Sequence, residues 1–412
     1  MAIDFAIRNA RLPGADAPTD IAVEGGVIAA LAPGFACDAP EHDAEGRLVC
    51  GGLVESHIHL DKAGILGRCA VCAGTLAEAI GETAKAKAAF TEEDVYARAA
   101  AVLEKAVLNG TARLRTFVEV DPRVALRAFD AIKRVKADYA ALIDVEICAF
   151  AQEGLTNEPA TEALIDAALR AGADCVGGCP YTDLDPAEHI RRIFALGERY
   201  GVAVDFHLDF DLDPQGSNLP AVISETERRG YGGRVSVGHV TKLSALAPDA
   251  LAATGRRLAQ AGVAVTVLPA TDLYLNGRAH DRLVPRGVSP AHRLAAEGAL
   301  VSIATNNVMN PFTPFGDASL MRVANLYANV AQIGAPADLA KVFAMIADDA
   351  ARVIGASGYG IRVGAPADLV ILDATAPAEA VAEVASAVAG WKRGRPTFVR
   401  PAPRLLQRPS GV

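Results

Sequence analysis

Between about residue 52 and residue 361, short apolar runs alternate with helix-forming stretches, and this rhythm limits the fold more than any other feature of the chain. "LVESHIHL" is followed by an N-cap pattern at Thr91, with Glu92, Glu93 and Asp94 in the first turn. Val95, Ala99, Val102 and Ala106 then recur at helical spacing until Asn109-Gly110 ends the helix. "ARLRTFVEV" comes next. "DVEICAFAQ" precedes a helix at about 159–171, "DCVGGCPY" one at about 186–200, and "VAVDFHLDF" one near 219–229. "RVSVGHV" precedes a helix near 248–261, "VAVTVLPA" one near 289–297, and "ALVSIATNN" leads into helical stretches within 318–355. Strands alternating with helices predict a parallel sheet. Eight such units in about 300 residues predict an α/β fold, a (β/α)8 TIM barrel, with an open doubly wound sheet as the alternative.

The two ends of the chain lack this rhythm. "DFAIRNARL", "TDIAVEGGVIAALAPG" and "HDAEGRLVCGG" near the start, and "APADLVILDA" and "VASAVAGWKRGRPTFVR" near the end, read as short strands and turns, with Gly25-Gly26 as a hairpin turn. Residues 1–51 plus 362–412 are therefore expected to form one small β-sandwich domain beside a catalytic barrel of 52–361, and "RPAPRLLQRPSGV" to be a loose or wrapping end. With 51% apolar residues the chain has ample material for a core. A net charge of -9 argues against an unspecific nucleic-acid or acidic-lipid surface. No uncharged apolar run approaches the roughly 18 residues of a membrane span, and Asp4 interrupts the apolar start, so no signal peptide is read. The expectation is a cytoplasmic homo-oligomer with a small-molecule substrate and no nucleic-acid or membrane partner. The seven cysteines are odd in number and scattered, unlike a disulfide framework, and Cys69 and Cys72, in CxxC spacing without a second pair, read as packing.

In a barrel of this kind the C-terminal strand ends form the active face. Those ends carry His57 and His59, Glu119 and Asp121, Gln152, Cys179 and Tyr181, His207 and Asp209, His239, and Asn306 with Asn307. The chain has eight histidines, and four sit here. Residues i and i+2 of a strand share a face, so His57 and His59 can both point into the barrel mouth and His207 can supply a third nitrogen. Three protein ligands with an open position make a catalytic metal site, at which the ion brings the pKa of water down to about 7. His42, His189, His280 and His292 fall in predicted loops or helices and are expected to be solvated.

"NARLPG", "GGLVESHIHLDK", "LIDVEICAFAQEGL", "VAVDFHLD", "VSVGHVTKLSAL", "NPFTPFGDASL" and "VGAPADLVILD" together resemble, in order, the amidohydrolase superfamily in its branch of bacterial cytosine deaminases and N-isopropylammelide aminohydrolases. The resemblance implies a distorted (β/α)8 barrel with a β-sandwich from both termini. It implies one divalent metal ion, zinc or iron, held by His57, His59 and His207. It further implies that Gln152 orients a planar nitrogen heterocycle, that His239 positions the attacking water, and that a C–N bond is hydrolysed with loss of ammonia or an amine.

Two positions depart from that pattern. Phe210 stands where the family has a glutamate that shuttles protons, and Asn306 where it has an aspartate that is both ligand and base; Asn307 follows where another carboxylate is usual. Neither phenylalanine nor a neutral amide exchanges a proton at pH 7. Cytosine itself is therefore not the expected substrate. Asn306 can still offer its amide oxygen to the ion or bind the substrate. Asp209, two residues after His207, is the candidate replacement proton carrier, Lys62 a contact for an anionic substrate, and Phe312 with Phe210 a flat wall for a ring. A deaminase-like enzyme, a hydrolase of a different cyclic amide-type bond, and a non-catalytic ligand-binding homologue are the readings that remain.

Overall fold

The computed structural model describes residues 3–71, 73–401, 403 and 406; Cys72, and with it the CxxC reading, and most of the expected loose end lie outside the described residues. Five strands come first: β1 (Phe5–Ala10), β2 (Thr19–Glu24), β3 (Val27–Leu31), β4 (Glu41–Asp43) and β5 (Leu48–Gly51). Eight more follow at the spacing expected for the barrel: β6 (Leu53–Ile58), β7 (Thr111–Glu119), β8 (Asp144–Ala151), β9 (Cys175–Gly178), β10 (Ala203–Leu208), β11 (Val235–His239), β12 (Val263–Val267) and β13 (Val301–Ile303). They pair in sequence order, all parallel, from β6 to β13. β13 is too short to pair directly with β6. The seam is joined beyond its end, where Asn306 N–H donates to His57 O and His59 N–H donates to Asn306 O, both at 2.8 Å. The chain is thus an α/β barrel of eight parallel strands, nearly closed.

Helices follow where the periodicity places them. Glu92–Leu108 begins at Thr91, whose hydroxyl accepts the Asp94 N–H at 3.2 Å, and Ala160–Arg170, Pro186–Tyr200, Leu219–Arg229 and Pro248–Ala261 match the expected spans. Arg127–Asp138 and Pro377–Glu383 are helices that were not read from the sequence, and so are two that matter below: Leu76–Lys87, and the short Pro269–Leu275 directly after β12. Most of the apolar core lies between the barrel and this helical ring. Within the barrel, Phe117, Cys148, Phe150, Cys175 and Cys179 form a separate packed layer.

The three last strands, β14 (Leu369–Leu372), β15 (Ala387–Lys392) and β16 (Arg395–Val399), form an antiparallel sheet with β5 from the N-terminal segment, in the order β16-β15-β14-β5. The other small sheet runs β3-β2-β1-β4, with β2 turning into β3 through Gly25-Gly26, both at positive φ. Ile7, Ile21, Val23, Val49, Leu369, Ile371 and Trp391 share the core between the two sheets. The chain crosses into the barrel at Gly52, where a Cβ would lie 2.3 Å from that of Ala112, so only glycine fits. Lys392 fastens sheet to barrel, donating to Asp368 and to Asp144 at the foot of β8, each at 2.6 Å. No described helix is long and apolar enough to cross a membrane.

Candidate active site

Three imidazoles converge at the C-terminal rim. His57 Nε2 lies 3.1 Å and His59 Nε2 2.9 Å from His207 Nε2. All three side chains are buried. Phe117 stacks on His57 with ring centroids 3.9 Å apart, and Phe150 lies 4.2 Å from His207, so aromatic faces hold the rings in place. Burial, then the neighbouring imidazoles and Lys62, holds each histidine well below its ordinary pKa of 6.5. The rings are neutral at pH 7, and each Nδ1 lacks a hydrogen-bond partner among the described residues. Three neutral nitrogens cannot satisfy one another at this distance, because each N–H serves one lone pair. A cation serves all three at once, so these residues fit a divalent ion.

Beside them stands His239, whose Nδ1–H donates to Asp272 Oδ1 at 2.7 Å. Asp272 is fully buried on the short helix after β12. The bond fixes the tautomer and turns Nε2 toward the cluster. Asn306 lies next to it: its Nδ2 donates to Thr271 Oγ1 at 3.0 Å and leans on His239 Nε2 at 3.5 Å. His239, Val240 and Asn306 adopt φ of 69°, 44° and 64°, a costly conformation for non-glycine residues, and most of all for the branched Val240.

Of these side chains His59, His207, His239, Thr271 and Asn306 line a narrow inner cleft, together with Lys62, Leu76, Gln152, Tyr181, Phe210, Leu275, Asn307 and Phe312. No carboxylate is among the described residues that line it. Lys62 is buried, not a surface lysine: its ammonium donates to Glu119 Oε1 at 2.6 Å and lies 4.3 Å from the centre of the Phe312 ring. Burial alone would raise the Glu119 carboxyl, but Lys62 and Lys87 outweigh it and hold it at about 2. Phe210 and His239 meet in a T-shaped contact with ring centroids 4.6 Å apart, and Phe210 packs with Ala79, Leu275 and Phe312 as an apolar wall.

The structure thus brings His57, His59, His207, His239, Gln152, Asn306, Lys62 and Phe312 together, but not Asp209. β10 ends at Leu208, and Asp209 takes a left-handed φ of 53°, which breaks the period-two alternation on which its placement beside His207 depended. Its carboxylate accepts from the Ser217 hydroxyl and from the Asn218 N–H at 2.9 Å, fastening the loop after β10, and it does not line the cleft. His189 also departs from expectation. It is buried, not solvated, with Nδ1 2.7 Å from Asp183 Oδ2. A Cβ at Gly178 would lie 2.0 Å from its Nε2, so the glycine in "DCVGGCPY" makes the room it occupies. Sequence reasoning missed Thr271, Asp272, Leu76 and Lys87. The only sequence signal for the first two was the helix-starting proline of "LPATDL", immediately after a strand.

A model of the amidohydrolase family matches residues 129–398. Among curated proteins, the N-isopropylammelide isopropyl amidohydrolase of Pseudomonas sp. (strain ADP) is 29% identical over 410 residues, covering 95% of this chain and 96% of that one. The pterin deaminase of Rhizobium rhizogenes is 27% identical over 329 residues, covering 78% and 74%. Among solved structures, the 5-methylcytosine deaminase of Klebsiella pneumoniae liganded with 5-fluorocytosine superimposes with a TM-score of 0.93 at 30% identity, covering 98% of this chain and 99% of that one.

Proposed function

This chain belongs to the amidohydrolase family, and on that premise we propose that it hydrolyses a C–N bond of a small planar nitrogen heterocycle, releasing ammonia or an amine. The observation that carries the reading is the meeting of three neutral imidazole nitrogens in a buried cleft. In it, His57, His59 and His207 would hold one divalent ion, zinc or iron, which would supply a polarised water at neutral pH. The chain's own groups do the rest. His239, held by Asp272, keeps a lone pair at Nε2 that accepts a proton from the attacking water and returns it to the leaving nitrogen. Asp272 steadies the imidazolium that forms in between. Gln152 faces the cleft with an amide that hydrogen-bonds a ring edge, and Phe312 and Phe210 together give a flat ring one apolar wall to lie against, excluding water. Lys62 meets an electron-rich ring substituent, because Glu119 takes only one of its three N–H groups.

The relatives' names indicate the substrate range: an N-alkylated triazine, a pterin and a methylated pyrimidine. Cytosine itself is disfavoured, since Phe210 leaves no carboxyl beside a basic ring nitrogen. The same absence favours a cyclic amide-type bond as the second reading, because such a ring already carries its N–H. The test is zinc-, iron- and manganese-loaded protein against aminopyrimidines, aminotriazines, pterins and cyclic amides, following ammonia or amine release and ring opening separately. Release of ammonia or amine supports the first reading, and ring opening without either supports the second. A protein that retains no metal and turns over nothing defeats both.

A further inference from the structure

The family aspartate at the end of the eighth strand is an asparagine here, yet that residue is not idle. Asn306 is 1% exposed, and its backbone is clamped on both sides by ligand-type histidines, through its N–H to His57 and its carbonyl to His59. Two acceptors face its side-chain nitrogen: the Thr271 hydroxyl at 3.0 Å and His239 Nε2 at 3.5 Å. The second is an acceptor because Asp272 holds the ring's proton on Nδ1. Turning the amide over would set its carbonyl oxygen against that lone pair. The orientation is therefore fixed from two neighbouring residues, Thr271 directly and Asp272 through His239. Thr271 is itself held, 2.7 Å from the Thr313 hydroxyl. The consequence is that Asn306 Oδ1 is buried in the cleft with no hydrogen-bond partner among the described residues. A buried carbonyl without a partner is costly, and the neighbouring nitrogen cluster is the place where a partner belongs.

We infer that Thr271 positions Asn306 so that its amide oxygen is a neutral fourth donor to the cation of His57, His59 and His207. This rests on the metal-dependent reading above. A neutral oxygen in place of a carboxylate leaves one more positive charge at the ion, which draws electron density from water more strongly and tolerates an anionic substrate. It is also a weaker ligand, so ion and amide are sensitive to how the amide is aimed.

The experiment measures Zn²⁺ affinity by chelator competition, and the visible spectrum of the Co²⁺-loaded protein, in the wild type and five variants. Asn306→Ala and Thr271→Val should each weaken Zn²⁺ binding by about 10- to 100-fold and alter the Co²⁺ bands. Their combination should be no weaker than Asn306→Ala alone, because one variant removes what the other aims. Thr271→Ser, which keeps the hydroxyl, should retain wild-type affinity, and Asn306→Asp should tighten it. The inference is overturned if Asn306→Ala leaves affinity and spectrum unchanged, or if the two losses multiply in the double variant. If Thr271→Val does not fold, loss of affinity in Thr271→Ser, or no tightening in Asn306→Asp, overturns it. Wild-type protein that binds no metal defeats the metal-dependent reading itself, a separate result.

Discussion

Two clusters at the same rim of the barrel bring three ligand-type atoms within 4.8 Å of one another: His57, His59 and His207, and Glu119, Asp121 and Glu153. The carboxylate cluster contains its own cation. Lys87, reaching in from the end of helix Leu76–Lys87, lies 2.7 Å from Glu119, 2.5 Å from Asp121 and 2.7 Å from Glu153. Burial would lower its pKa, but the three carboxylates raise it well above the usual lysine value. Among the described residues the histidine cluster has no such group, and three Nδ1 atoms and the Asn306 oxygen have no hydrogen-bond partner. Convergence of ligand atoms therefore does not by itself mark a metal site. What separates the two is whether the chain supplies the compensating charge.

The strongest way to break this contrast is His207→Ala. It should reduce bound metal from about one equivalent to near none and the catalysed rate by about 10³-fold or more, since a polarised nucleophile is worth several kcal/mol. Metal analysis checks the first and product release the second; retention of metal would refute the histidine assignment. Lys87→Met tests the other half. Removing one partner of a buried ion cluster should cost about 3–5 kcal/mol in denaturant unfolding. The variant should also gain a Tm increase with Ca²⁺ or Mn²⁺ that the wild type does not show, because the emptied carboxylates suit a hard cation. A variant as stable as wild type would mean that Lys87 is not the internal cation.

Asp272→Asn sharpens the comparison inside the histidine site. It keeps the volume but no longer fixes the His239 tautomer. Its kcat should fall by about 10²-fold, the lower range of a placed proton carrier, with Tm little changed and metal retained, because Thr271 still holds the Asn306 amide directly. A fall in metal content as large as that in kcat would show a structural role instead.

The smallest effect concerns His189, a buried imidazole that, unlike the three at the rim, already has a carboxylate. Burial outweighs Asp183 and lowers its pKa below 6.5. The unfolded chain then binds the proton that the folded one refuses, so this group's contribution to stability is present above pH 6.5 and is lost as pH falls from there through the lower folded-state pKa. His189→Gln should flatten that acid-side slope equally in metal-loaded and metal-stripped protein. A flattening that depends on metal would tie His189 to the rim site.

The barrel rhythm and the strand-end histidines were legible because both are local. A strand or helix declares its period within ten residues, and a residue two positions before a strand's end stays there whatever the chain does later. The same local rule failed at Asp209, where one left-handed residue ended the alternation. It was silent about Lys87, whose partners lie 32 or more residues away in the chain, and about Asp272, 33 residues from His239. His189 was misplaced because the space that buries it is made by a glycine on another element.

By itself, then, the sequence determined the barrel, its reading direction and the set of imidazoles at its mouth. Tertiary structure alone decided which polar atoms are compensated and which are left waiting: Lys87 inside its carboxylates, Asn306 aimed by Thr271, Asp209 turned away. The physical reason is that periodicity is a property of neighbours along the chain. Charge compensation and the direction of an amide are set by atoms that only folding brings within 3 Å of one another.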